Sequence, residues 1–400
     1  MNILLLGIII YLVIIFIGYW VNKYLRIPWM FTVVILGLTL SAVGLFQDVM
    51  HSENFLFLSK MGMLFFLFTI GVDLEMDKIR QMGKYIVIGN ILLTLTEGFT
   101  LALLFYFVFP QFVNHSFLVA LLAGIAFGTV GEVILLAILK EFGLENTKFG
   151  QLALGIGVFD DIFEIAVLAI IVALPQLINN GVTASSMRSS IEILEILILI
   201  FIATFLFSIV GKLLKNSFEK IPNNSFIIPF AIFLIIFSFM YFSSIHNENM
   251  VVIAAIFSGI SVKQLFPGKF IEQYKKQIFF IGNIFLGPFF FLSLGSKISF
   301  DSLLSYPFFI LTIILISLAV RILISYLLFN KLLGKRQSAV LGVGLCAKFS
   351  TSVVSENILF TSGLIAAPLY SAIMAAFILM KPIIIAIFSR NLSSIKGQIK

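Results

Sequence analysis

Asp160 and Asp161 stand side by side within Leu152-Ala-Leu-Gly-Ile-Gly-Val-Phe-Asp-Asp-Ile-Phe-Glu-Ile-Ala-Val-Leu-Ala-Ile-Ile171, a stretch otherwise almost entirely apolar. If it spans a bilayer, two carboxylates near its centre cost several kcal/mol unless something compensates them. Adjacent carboxylates do not both ionise cheaply, so one of them takes a proton or pairs with a cation. That is the chemistry of a site exchanging a proton for a metal ion. Glu164 lies four residues after Asp160, on the same helical face. It either joins the site or faces a water-filled crevice. Arg321, in Ser317-Leu-Ala-Val-Arg-Ile-Leu-Ile-Ser325, is apolar on both flanks. Unless it lies close to the interface, its guanidinium needs a carboxylate, and Asp160 or Asp161 is the natural one.

Two further stretches place polar groups at membrane depth. Phe127-Gly-Thr-Val-Gly-Glu132 and Ala347-Lys-Phe-Ser-Thr-Ser352 are rich in glycine or hydroxyl residues. They suit unwound segments in which freed backbone groups coordinate an ion; close packing through small residues is the plainer alternative. Crossed half-helices bring like dipole ends together, so Glu132 near exposed amides and Lys348 near exposed carbonyls would be stabilising. Glu97, also mid-span, reads as a helix–helix or subunit contact. His51, His115 and His246 fall in loops, which argues against a histidine metal site.

The elements that must hold these groups are membrane helices. The chain has 400 residues, of which 60% are hydrophobic and 11% charged, with mean hydropathy +1.14; a soluble domain carries about 25% charge. The apolar runs exceed the roughly 10-residue alternation of barrel strands. The fold class is therefore all-α and polytopic. About thirteen spans are expected, near 3–21, 27–46, 56–72, 85–109, 117–139, 148–175, 191–211, 225–243, 249–264, 277–296, 302–329, 338–362 and 367–389. The first has no basic residue before it and reads as a span and not a cleaved signal. No soluble domain is expected, so residues 1–400 form one transmembrane domain. Alternate loops and the C-terminal tail carry twenty basic residues against Lys60, Arg188 and Lys297 in the other loops. This asymmetry places the N-terminus outside and the C-terminus inside, and it accounts for the pI near 9.3 without nucleic acid. The lone Cys346 excludes an internal disulfide.

Phe66-Leu-Phe-Thr-Ile-Gly-Val-Asp-Leu-Glu-Met-Asp77 parallels Phe290-Phe-Leu-Ser-Leu-Gly-Ser-Lys-Ile-Ser-Phe-Asp301, matching Gly71 to Gly295 and Asp77 to Asp301. The copies lie seven spans apart, an odd number, and so run in opposite directions. Inverted repeats, here about 27–175 and 249–389 around a linking span at 191–211, are an architecture of secondary transporters.

On these residues the chain resembles the monovalent cation:proton antiporter family, in its bacterial sodium/proton and potassium-efflux branch. The resemblance runs nearly end to end. It is carried by Leu25-Arg-Ile-Pro-Trp-Met30, by Met61-Gly-Met-Leu-Phe-Phe-Leu-Phe-Thr-Ile-Gly-Val-Asp-Leu-Glu-Met-Asp77, and by Leu139-Lys-Glu-Phe-Gly-Leu-Glu-Asn-Thr-Lys-Phe-Gly-Gln151 followed by Gly157-Val-Phe-Asp-Asp161. The resemblance implies a core domain with two crossed discontinuous helices beside a dimerisation domain, and a homodimer in the cytoplasmic membrane of a bacterium. It implies a transporter, not an enzyme, with no cofactor, exchanging Na⁺ or K⁺ for H⁺ by alternating access. Asp161 would bind the cation or the proton in turn, as a transient metal site. Asp160 would pair with Arg321, and Thr129 would lie by the ion in the first break, with Ser350 and Thr351 as accessory groups in the second.

Three positions depart from the family pattern: Thr129-Val130-Gly131 before Glu132, Lys348-Phe349-Ser350, and Glu164 where a small or apolar residue is usual. They bear on selectivity more than on fold. An arginine that stays paired points to electroneutral exchange unless Glu164 adds a second titrating group. The chain also ends where potassium-efflux relatives begin a nucleotide-binding domain. The alternative within transport is a potassium-efflux antiporter with a separate cytoplasmic regulatory subunit. A channel would need rings of carboxylates along a pore, and a sensor that kept the fold without transporting would tolerate Asp161→Asn. An intramembrane aspartyl protease is remote, because its two aspartates must share a proton from different helices.

Overall fold

The computed structural model describes residues 2–25, 27–74, 83–179, 184–219, 222, 226–246, 248, 250–349 and 351–396. Every regular element among them is helical. In chain order these are α1 (Ile3–Val13), α2 (Tyr19–Leu25), α3 (Trp29–Val43), α4 (Gln47–Met50), α5 (Glu53–Asp73), α6 (Lys84–Val108), α7 (Phe117–Gly128), α8 (Glu132–Glu141), α9 (Lys148–Asn179) and α10 (Ala184–Glu219). They continue as α11 (Ile227–His246), α12 (Met250–Leu265), α13 (Gly268–Phe279), α14 (Gly287–Ser296), α15 (Phe300–Ser305), α16 (Pro307–Leu333), α17 (Lys335–Gly344), α18 (Thr351–Thr361) and α19 (Ala367–Lys396). Wide π turns join α1 to α2 and α13 to α14.

Each apolar segment read from the sequence falls on one of these helices or on a consecutive pair. Among the described residues, eight stretches are long and apolar enough to cross a membrane, and α3, α7 and α12 are apolar but shorter. α9 is long enough but carries Asp160, Asp161 and Glu164 at its centre. A membrane span takes about 20 residues, so neither α7 nor α8 crosses alone. The chain unwinds between them at Thr129-Val130-Gly131, and again at residues 345–349 between α17 and α18.

The chain divides into two compact units. The first comprises Met1–Gly7, Gln47–Leu74 and Val172–Ser293. Within it, α5 and α12 touch backbone to backbone: a Cβ on Gly71 would strike the carbonyl of Ile256, and one on Gly259 the carbonyl of Phe68. Lys263 Nζ donates to the Leu74 carbonyl at 2.8 Å, closing the end of α5, and Lys275 pairs with Asp73.

The second unit comprises Ile8–Phe46, Glu75–Ile171 and Leu294–Lys400, and it contains every polar group singled out in the membrane. Gly98 of α6 and Gly124 of α7 make the close crossing there, with Gly124 against the Gly98 carbonyl. Such contacts are how membrane helices gain packing energy when lipid is as apolar as their side chains. Gly295 of α14 lies against the Val34 carbonyl of α3. Asp77 and Arg26, which took part in the sequence patterns, lie outside the described residues, as does Ser350.

Candidate ion-exchange site

The two unwound segments meet. The Gly131 amide donates to the Ala347 carbonyl at 2.7 Å, so a donor freed in one break is satisfied by an acceptor freed in the other. Phe349 holds the second break in a backbone conformation unusual for a side chain (φ 108°). Its ring lies 4.2 Å from that of Phe31 and 6.3 Å from that of Phe377, and this packing fixes it there.

Asp160 is committed to the first break. Its Oδ2 accepts the Val130 amide at 2.5 Å, and its Oδ1 accepts from Asn90 Nδ2 at 2.5 Å and Thr94 Oγ1 at 3.1 Å. A carboxylate at the exposed amides opening α8 meets the positive end of the helix dipole. Asp160 is completely buried.

Arg321 does not pair directly with Asp160, contrary to the sequence expectation. Its Nε lies 2.5 Å from Glu97 Oε2, and its Nη2 donates to the Gly128 carbonyl that α7 leaves open. Lys348 Nζ lies 2.9 Å from Glu97 Oε1 and 4.7 Å from the Phe127 ring centroid. Ser317 also donates to Glu97. Glu97 thus joins α6, α16 and the second break, all fully buried. The reason is placement: Asp160 is occupied by α6 and the break, while Glu97 faces α16. Lys348 sits at the second break as expected, although its partner is Glu97 and not a set of carbonyls.

Asp161 is different in kind. Its side chain is partly accessible. Its carboxyl hydrogen-bonds with that of Glu132 and faces those of Glu164 and Asp160. Two carboxyls joined by a hydrogen bond share a proton. Glu164 is buried and its Oε1 lies 2.6 Å from Thr129 Oγ1. That hydroxyl also lies 2.9 Å from the Ala126 carbonyl. A hydroxyl has one proton and a carbonyl only accepts, so both contacts are full hydrogen bonds when Glu164 itself carries a proton and donates it.

Asp160, Asp161, Thr129, Glu132 and Glu164 are therefore brought together, with Arg321 and Lys348 one layer behind on Glu97. Thr351 is buried at the start of α18, and its hydroxyl has no hydrogen-bond partner among the described residues. Sequence reasoning passed over Asn90 and Thr94 and missed the pairing of Glu97. The signal existed: polar residues at 90, 94 and 97 recur at helical spacing on one face of an apolar span. Glu97 and Arg321 also lie seven spans apart, the same separation as the repeat.

Taken together the cluster holds five carboxyls (Glu97, Glu132, Asp160, Asp161, Glu164) and two basic side chains (Arg321, Lys348). Protons or mobile cations must supply most of the remaining balance at this depth.

The chain is similar to known proteins along most of its length. The family model described as sodium/hydrogen exchanger, transmembrane, matches residues 12–390. A Na⁺/H⁺ antiporter of Enterococcus hirae is 24% identical over 341 residues, covering 83% of this chain and 84% of the relative. The Na⁺/H⁺-K⁺ antiporter GerN of Bacillus cereus is 23% identical over 334 residues, covering 82% and 81%. The solved structure of the sodium proton antiporter MjNhaP1 from Methanocaldococcus jannaschii superimposes with a TM-score of 0.60 at 17% identity, covering 98% of this chain and 99% of that one.

Proposed function

Since the chain belongs to the sodium/hydrogen exchanger family of membrane transporters, we propose that it exchanges a monovalent cation, Na⁺ in preference to K⁺, for H⁺ by alternating access, with Asp161 as the shared site. The observation that carries this reading is the unequal commitment of the two aspartates. Asp160 has both oxygens engaged, Oδ2 by the Val130 amide of the first helix break and Oδ1 by Asn90 and Thr94 of α6, whereas Asp161 is partly accessible and lies among carboxyls.

In the proton-loaded state the Asp161 and Glu132 carboxyls share a proton. An arriving cation brings positive charge to the same oxygens and displaces it, so cation and proton exclude one another at one site. Glu164 and the Thr129 hydroxyl stand within reach to complete the oxygen shell that a hard cation prefers. Asp160 and Arg321 act as positioning residues, each holding one open end of the first break. With Arg321 fixed on Glu97, one carboxyl cycles and exchange is electroneutral. The protein is taken to work as a homodimer in a bacterial cytoplasmic membrane, with its C-terminus inside.

The test is pH-gradient-driven uptake in proteoliposomes with Na⁺, K⁺ and Li⁺ compared, for wild type and Asp161→Asn. The variant is expected to lose uptake at least a hundredfold. Wild-type rates in Asp161→Asn would sink the site assignment. The named activity of GerN on K⁺ motivates a second reading, a potassium-efflux antiporter; rubidium flux exceeding sodium flux would select it.

A further inference from the structure

The second unit also contains a cavity of about 490 Å³ lined by Asn22, Pro28, Ile134, Ala137, Ile138, Lys140, Lys381 and Ile385, none of them a member of the exchange cluster. Lys381 of α19 forms part of its wall. The side chain is 99% buried, and its ammonium has no hydrogen-bond partner among the described residues. It lies 5.4 Å from the centroid of the Phe31 ring, which compensates an ammonium only in part. Lys140, in the last turn of α8, is exposed at the same cavity, and Asn22 lines it with an amide that gives one hydrogen to the Ile27 carbonyl at 3.4 Å and keeps a second. None of the eight lining residues is acidic.

A buried ammonium without a counterion is costly. Two ammonium groups and an amide facing one cavity form a site for an oxyanion and repel a transported cation. Ile134 and Ile138 lie one helical turn apart and, with Ile385, give the same cavity apolar walls. Such a combination of basic floor and apolar side suits an amphiphile with an anionic head. We propose that this cavity binds a phosphate group, with Lys381 and Lys140 as its cationic ligands, and that the headgroup of an anionic phospholipid is its natural source.

Thermal unfolding of the detergent-purified protein tests this. Short-chain phosphatidylglycerol, phosphatidylcholine of the same chain length and inorganic phosphate would be titrated separately at constant ionic strength. Phosphatidylglycerol is expected to raise the unfolding midpoint saturably, and phosphatidylcholine is not. Lys381→Gln and the surface variant Lys140→Gln should each reduce the shift by more than half. Because Lys140 is exposed, its variant keeps the test decisive if Lys381→Gln fails to fold. A shift with inorganic phosphate alone would assign the site to a soluble phosphate compound. Equal shifts in wild type and Lys140→Gln, or no shift with either phosphate source, would overturn the proposal.

Discussion

Glu97 holds two cations on one carboxylate, with Arg321 on one oxygen and Lys348 on the other. Removing it leaves both buried without their direct carboxylate. Breaking a buried pair from one side costs about 3–5 kcal/mol, so Glu97→Ala should lower the unfolding midpoint strongly. Arg321→Leu added to Glu97→Leu should recover part of the loss; a double variant as unstable as the sum of the singles would show no coupling. Lys297, just past the end of α14, gives a pH signature outside the membrane spans. Its amine donates to Asn357 Oδ1 at 2.8 Å, and burial pushes it down from 10.5 to about 8. Below pH 8 both folded and unfolded chains hold this proton, and above pH 10.5 neither does. Between these values only the unfolded chain holds it, so this residue's contribution to stability rises with pH across the window. Unfolding midpoints measured from pH 7.5 to 10 should show that rise in wild type and a flatter profile in Lys297→Met.

At the scale of elements, helix boundaries follow from local chemistry. Pro28 precedes α3, Pro307 opens α16, and Gly44 in the left-handed region closes α3. The first break was legible because glycine and threonine weaken a helix where no water replaces its hydrogen bonds; the second was marked by the hydroxyls of Thr351 and Ser352, which open α18 just after the unwound residues. What held the breaks together was not legible, because the bond from Gly131 to Ala347 joins residues more than 200 apart in sequence. Helix crossings obey the same division. A glycine in a span suggests close approach, but its partner is known only once packed. The α6–α7 crossing is testable: Gly124→Val places its Cβ on the Gly98 backbone. Overpacking of this sort costs about 1–3 kcal/mol, and fluorescence size-exclusion should show a lower melting midpoint. An unchanged midpoint would mean the helices can separate freely.

At the scale of the whole molecule, the repeat in the sequence has a counterpart in packing. Gly71 of α5 lies on Ile256 of α12, and its sequence match Gly295 lies on Val34 of α3. The two partners occupy the same position, the eighth residue, in segments expected from the sequence to be repeat-related (27–46 and 249–264). The basic loops predict an N-terminus outside and a C-terminus inside, so a cysteine at residue 2 should be labelled by an impermeant thiol reagent from outside intact cells and one near residue 398 should not. Cys346 is buried, which keeps the background low. Electroneutral exchange predicts no current when a Na⁺ gradient is imposed on proteoliposomes. A current would assign Glu164 as a second cycling carboxyl. The sequence alone determined that the chain crosses a membrane as helices, where those helices break and which aspartates are expensive. Those properties depend on hydrophobic length, glycine placement and the cost of charge in lipid, all readable over a few residues. Only the tertiary structure decided which carboxylate Arg321 meets. Asp160 and Glu97 are both buried acids of suitable depth, and the choice rests on which faces of α6, α9 and α16 turn toward each other. That is set by packing between segments far apart in the chain, and no local pattern records it.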